Sequence, residues 1–435
     1  VQLSPEEFVC PNGDGASGYD YSLNTIYGFA HTHLSGTGCV DLLDVMMQPS
    51  VEPITRLQGE DLYPATFSHD NEKASVGYYA VRFDGSDIYT ELTATTRTGM
   101  TRITYPAGKP QTLAFDMSHA GQNRGGDRKT IIFNSQLRLV NATTLVGYRM
   151  LSGWQKARKV YFYAQFSRPV VAKTFRQGKE VYVDGDVANG RDTRCFLDFG
   201  ASSEPLIVKV ALSPVSIDKA KLNMQAEMAG WDFDATVKAA DDAWNRELAR
   251  IQIQTNDQTK KRVFYTAMYH LMTSCSKFND VDREYRGADG KVHKADFTNY
   301  TTLSLWDTYR AAHPLMTVAF PEMQRDFAKT FLNIYKQQGR LPVWHLMGSE
   351  TDCMVGNPGA IVLADLTMKG FVEDKELALE ALKATQMKDI RSLGLLKEHG
   401  YIPWNLEPEN ETVAKALEYC AADDGVAKVA KLLGK

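Results

Sequence analysis

Up to about Pro214 the apolar and polar positions alternate with a period of two. Tyr79, Val81 and Phe83 alternate with Ala80 and Arg82, and Val160, Phe162, Ala164 and Phe166 alternate with Tyr161, Tyr163 and Gln165. Short β-branched or aromatic runs, such as Ile131-Ile132-Phe133 and Leu206 to Leu212, are bounded by turn residues such as Asp84-Gly85 and Asn189-Gly190. Many short strands with one face buried predict an antiparallel β-sandwich over residues 1–216. After Ser216 the period becomes 3.6. Phe264, Ala267, Met268, Leu271, Met272 and Cys275 form one helical stripe. Pro321 opens a helix that Gly339 closes. Further helices are predicted over 357–370, 374–387, 411–421 and 423–433, with no convincing strand among them.

This pattern divides the chain into a sandwich (1–216), a helical linker (217–255) and paired helices from 256 to 435. About seven or eight helices follow the linker, whereas a ring of six helix pairs needs twelve. The fold class is therefore a β-sandwich followed by an all-α, incomplete (α/α)6-type toroid, with some helix faces left uncovered. The chain opens at Val1 in strand-like sequence without a leader, and it stops at Lys435 as a helix finishes, so it reads as part of a longer protein.

Composition narrows the classes. A net charge of −4 without a basic stripe argues against a nucleic-acid partner, which needs clustered Lys and Arg. No apolar run reaches the ~18–20 residues of a membrane-spanning helix. The six cysteines are dispersed without a C-x-x-C pair, so no zinc site is legible and most are expected to be small buried apolar groups.

Three clusters carry candidate chemistry. The first is Ser304-Leu305-Trp306-Asp307-Thr308-Tyr309-Arg310, followed by His313-Pro314-Leu315. On one continuous helix, Trp306, Asp307, Arg310 and His313 share a side opposite Leu305, Ala312 and Leu315. An indole beside a carboxylate and a guanidinium suits a sugar, which has an apolar C–H face and paired hydroxyls. An ordinary intrahelical ion pair beside a core tryptophan is the plainer explanation. The second cluster runs from Gly339-Arg340-Leu341-Pro342-Val343-Trp344-His345 to Gly348-Ser349-Glu350-Thr351-Asp352, a loop between helices. Glu350 and Asp352 are an acid/base couple, hydroxyl ligands, or loop scaffolding. The third is Gly28-Phe29-Ala30-His31-Thr32-His33-Leu34-Ser35-Gly36-Thr37-Gly38, where cleft lining is a stronger reading than metal binding by the histidines. Cys39 follows it and is expected to border the leaving-group side of a pocket.

Together with Gly18-Tyr19-Asp20-Tyr21, Gly147-Tyr148-Arg149, Gly153-Trp154, Tyr265 to His270, Leu417-Glu418-Tyr419 and Asp423-Asp424, these motifs resemble glycoside hydrolase family 92 over essentially the whole chain. Departures include Ala30 where serine is common, and Gly425. The resemblance implies an exported, exo-acting α-mannosidase that releases terminal mannose from glycans with inversion, assisted by Ca2+ on the sugar's 2- and 3-hydroxyls. It implies a site between sandwich and barrel, with substrate contacts from Trp306, Asp307, Arg310, Trp344, Glu350, Asp352, His33, Gly36 and Cys39. It also implies that the general acid, the base aspartates and the main Ca2+ ligands lie beyond Lys435, so the 435-residue segment alone is expected to be inactive. Two other readings stay open: a non-catalytic carbohydrate-binding or scaffold protein, and another sandwich-plus-toroid glycosidase that uses Glu350 or Asp352 as its acid.

Overall fold

The period-two stretches fold into two antiparallel sheets. A computed structural model of the chain describes residues 1–6, 18–22, 24–37, 41–58, 62, 64–120 and 130–435, which form two compact units, Val1–Ala249 and Arg250–Lys435. In the first unit, one seven-stranded sheet runs in spatial order Ser4–Glu6, Gly28–Ala30, Met46–Ser50, Thr112–Asp116, Thr193–Asp198, Ala172–Gln177, Glu180–Tyr182. The other sheet has nine strands and is centred on Thr144–Ser152, Arg158–Phe166, Leu206–Ser213 and Thr98–Thr104. Residues 158–166 alternate strictly between buried and half-buried, as the sequence predicts. Phe115 of one sheet stacks on Phe162 of the other at 6.3 Å, in a core that draws on both inner faces.

Two helices belong to this unit. Helix α1 (Ile217–Glu227) begins at Ser216, whose hydroxyl caps Lys219 N, and α2 (Phe233–Leu248) begins at Asp232, which caps Ala235 N. Helix α1 packs on Arg158–Phe166 and Leu206–Ser213, and α2 packs on Tyr89–Ala94. Met228 and Phe233 pack on Met100 in one buried cluster.

The second unit holds α3 (Gln258–Leu271), α4 (Leu305–Thr308), α5 (Ala312–Ala319), α6 (Pro321–Gln338), α7 (Pro358–Met368), α8 (Lys375–Met387), α9 (Leu393–His399) and α10 (Thr412–Leu432). Pro321 and Gly339 (φ +75°) bound α6 as expected. Helices α6, α7, α8 and α10 make the main packing, with α10 against both α7 and α8.

Four details differ from the sequence reading. Helix α3 ends at Leu271, so Met272 and Cys275 fall outside its stripe. The two helices expected over 411–421 and 423–433 are one, with no break at Ala422. Gly425, in its interior, lets α10 approach α7, and a Cβ there would lie 2.9 Å from Ala364 Cβ. The second unit also contains strands of two or three residues, too short to show a period. They include Leu303–Ser304, Trp344–Leu346 and Ser349–Glu350 in one small sheet. Finally, Cys195 is buried as expected, but Cys420 is exposed.

Candidate functional site

The Trp-Asp-Thr-Tyr-Arg motif does not lie on one continuous helix. Helix α4 ends at Thr308, the chain turns through Tyr309–Ala311, and α5 restarts at Ala312. The break changes the helical phase. His313, expected beside Trp306, is buried at 2% exposure, while Leu315, expected inside, is 41% exposed. Burial lowers the His313 pKa to about 4, and its Nδ1 lies 3.1 Å from Gln324 Oε1. His313 is therefore a core residue.

The same turn builds an aromatic and ionic group. The Arg310 guanidinium lies 4.9 Å from the Trp306 ring and 4.2 Å from the Tyr309 ring. It donates to Trp306 O at 3.1 Å and to Glu418 Oε1 at 2.5 Å. Tyr309 donates its hydroxyl to Glu418 Oε2 at 2.9 Å, and burial together with that carboxylate pushes its pKa up to about 12. Glu418 stands on α10, and its Cβ would be 2.4 Å from a side chain at Gly356. Asp307 accepts from Ser304 Oγ and is otherwise exposed, and the Arg310 side chain is half-exposed. A cation over aromatic rings, with a solvent-facing carboxylate on the short helix just before it, is an arrangement that can bind hydroxyls.

The second cluster joins this one through a ladder. Ser304 pairs with Trp344 in the small sheet, so the strand leading into α4 lies beside the 344–350 hairpin. Trp344 is buried, and its N–H donates to Glu350 Oε1 at 2.7 Å. Val343 N donates to Glu350 Oε2 at 2.9 Å, and Asp352 N to Glu350 Oε1 at 3.1 Å. Burial raises the Glu350 carboxyl despite Arg340 and these amides. Asp352, at φ +58°, receives Arg340 through both oxygens at 2.6 and 2.8 Å, and Arg391 lies at 3.3 Å. Burial opposes its ionisation, but the two arginines outweigh burial and hold its pKa low. Arg391 also donates to the carbonyls of Asp352, Met354 and Gly356. Both carboxylates are thus spent on folding the loop, an arrangement that favours the scaffold role over the acid/base couple.

In the first unit, His33 is buried against Glu6 and the Gln2 carbonyl, and Gly36 (φ +75°) is exposed with open space around it. Cys39 and Gly38 lie outside the described residues. Among the described residues no group of three or more His, Cys, Asp or Glu is placed to hold a metal. The carboxylates of the second cluster are occupied by arginine and backbone donors, so no oxygen set suited to Ca2+ is found there.

Tyr309, Glu418, Arg340 and Arg391 complete these clusters and were not among the candidate residues. Tyr309, Arg340 and Glu418 belong to motifs legible in the sequence, but Glu418 meets Arg310 across 108 positions, which no local spacing reveals.

With this geometry in place, comparison with known proteins defines the class. Residues 1–213 match the glycosyl hydrolase family 92 N-terminal domain, and residues 219–435 match the family's catalytic domain. The chain belongs to glycosyl hydrolase family 92. It is similar to a family 92 α-mannosidase of Bacteroides thetaiotaomicron, with 36% identity and a TM-score of 0.90 over 99% of this chain and 59% of that one. A structure of that enzyme in complex with mannoimidazole matches equally well. An inverting family 92 mannosidase of the same organism is 26% identical, with a TM-score of 0.83 over 100% of this chain and 58% of that one. An uncharacterized secreted glycosidase of Arthroderma benhamiae is 23% identical over 96% of this chain and 55% of its own length. The chain spans 55–59% of the length of these relatives.

Proposed function

We propose that the protein is an exported, exo-acting α-mannosidase, and that Trp306, Asp307 and Arg310 bind the hydroxyls of a terminal mannose. The observation that carries this reading is a solvent-facing Asp307 carboxylate three residues before an Arg310 cation that lies over the Trp306 and Tyr309 rings and is held by Glu418. Family membership and the α-mannosidase relatives support the substrate class, and the relative named as secreted supports export.

Hydrolysis with inversion requires an acid at the leaving oxygen and a base activating water on the opposite face. Neither role is assigned to Glu350 or Asp352, whose oxygens are engaged in the loop. Calcium enters the reading through the family resemblance, and no step is drawn through it. The test is Asp307→Ala in the full-length enzyme. Loss of a charge-assisted hydrogen bond should cost about 1.5–3 kcal/mol in kcat/KM on an aryl α-mannoside. An unchanged kcat/KM would remove Asp307 from the site.

A further inference from the structure

The α4–α5 turn and the 352–356 loop meet at one side chain of α10. Glu418 Oε1 accepts from Arg310 at 2.5 Å, and Oε2 accepts from the Tyr309 hydroxyl at 2.9 Å. From the other side, Gly356 (φ +72°) lies so close that a Cβ there would be 2.4 Å from Glu418 Cβ. The carbonyl of Gly356 is held in turn by Arg391, which also takes the carbonyls of Asp352 and Met354. Tyr419, the next residue of α10 and fully buried, donates its hydroxyl to Arg391 O. Glu418 thus braces the α4–α5 turn, while Tyr419, through Arg391, braces the loop against which Glu418 is seated.

The brace decides where the Arg310 guanidinium lies. Arg310 and Asp307 are three positions apart, a spacing at which opposite charges on a helix attract each other. Among the described residues Arg310 nevertheless pairs with Glu418, and Asp307 keeps a solvent-facing carboxylate. Arg310 is half-exposed on a flexible stem, so without a partner it would sample several rotamers, and a ligand needing one of them would have to order it. Glu418 holds one terminal nitrogen and the Trp306 carbonyl the other. These two bonds use only part of its five N–H donors, so the rest can still meet hydroxyls. Glu418 itself has both oxygens engaged and a side chain only 13% exposed, so it acts on a ligand through Arg310.

We propose that Glu418 is a positioning residue, which holds Arg310 over the Trp306 and Tyr309 rings and away from Asp307, so that both charged groups stay open to the hydroxyls of a terminal mannose. The proposal rests on the sugar-binding reading of Trp306, Asp307 and Arg310. Without Glu418, the guanidinium is free to fold onto Asp307, and each group then occupies the other.

The test uses the full-length enzyme and an aryl α-mannoside. Glu418→Ala should raise KM about two- to tenfold, the cost of ordering one long side chain, with kcat within about twofold. Glu418→Gln, whose amide oxygen still accepts from Arg310 while its NH2 donates to the Tyr309 oxygen, should recover most of that rise. In an Arg310→Ala background, Glu418→Ala should leave KM where Arg310→Ala alone puts it, because a residue that works through Arg310 has nothing left to hold. An equal rise with and without Arg310 overturns the proposal, as does an unchanged KM. A loss of kcat at unchanged KM, the mark of a smaller folded fraction, overturns it too. If Glu418→Ala fails to fold, Glu418→Asp, one methylene short of Arg310, takes its place with the same expectation. A KM that ignores Asp307→Ala and Arg310→Ala removes the site reading and the proposal with it. A KM that follows those two changes and ignores Glu418→Ala sinks the positioning role alone.

Discussion

Asp44 is fully buried between two guanidinium groups. Arg149 Nε donates to Oδ1 at 2.9 Å, Arg158 donates to Oδ2, and Thr32 adds its hydroxyl at 2.8 Å. Arg149 further donates to the carbonyls of His119 at 2.6 Å and Leu42 at 2.5 Å. Leu42, Leu43 and Val45 all have positive φ, a backbone held by these buried charges together with the Leu43 N–H to Thr32 O and His31 N–H to Asp44 O bonds. Removing Asp44 leaves Arg149 without its carboxylate and Arg158 with only Asp41, 3.8 Å away. Asp44→Asn should destabilise the sheet unit by about 3–5 kcal/mol, measured by urea unfolding at pH 7. Burial opposes ionisation of Asp44, yet Arg158 and Arg149 lower its pKa to about 2. A depressed carboxyl contributes stability above its unfolded pKa of ~3.9, and that contribution is lost as pH falls through about 2. The gap between the two proteins should therefore shrink toward pH 2, and a gap that persists there would assign the effect to shape and not charge. Gly147-Tyr148-Arg149 was legible as a motif, but its partner was not. Asp44 lies 105 positions away, and a buried ion pair leaves no periodicity.

Among the elements, regular periods were read correctly and interruptions were not. The strand at 158–166 and the Pro-first, Gly-last helix α6 follow directly from side-chain spacing. The turn at Tyr309–Ala311 escaped because its residues permit a helix. It is explained by the bonds it makes, with Tyr309 and Arg310 both reaching Glu418 on α10. Residues 411–433 err in the opposite direction: read as two helices, they form one, and its interior holds Gly425, which normally weakens a helix. Here helix propensity and packing oppose each other. Alanine is favoured over glycine by about 1 kcal/mol in a helix, but its Cβ would meet Ala364 Cβ at 2.9 Å. Ala364 has no rotamer with which to withdraw, and overpacking of this kind costs about 1–3 kcal/mol. Gly425→Ala should lower the thermal midpoint of the helical unit. A rise would mean that α10 and α7 can separate freely and that propensity decides.

For the whole molecule, the change of period near Ser216 placed the change of architecture correctly, and the helices that follow it raise the question of where a folding unit ends. Helices α1 and α2 cover the sheet. Arg97 binds Glu227 at 2.5 Å, Arg102 binds Asp234 at 3.0 Å and stacks on Phe233 at 4.3 Å, and Lys209 donates to Met228 O at 3.1 Å. Met228 and Phe233 close over Met100, which is fully buried. These contacts were hidden in the sequence because both helices are rich in charge, and α1 places only Ala220, Asn223 and Met224 inside. Residues 1–249 expressed alone should therefore fold, retaining the antiparallel sheets and a cooperative thermal transition. Residues 1–216 should be less stable, since they lose two apolar anchors worth about 1.5–3 kcal/mol each. At this size, 1 kcal/mol corresponds to about 2–4 °C, so the midpoint should drop by about 6 °C or more. Met228→Ala and Phe233→Ala within 1–249 should each reproduce part of the drop. Equal midpoints for the two lengths would show that the helices are passengers on the sheet and that the unit ends with its last strand at Ser213.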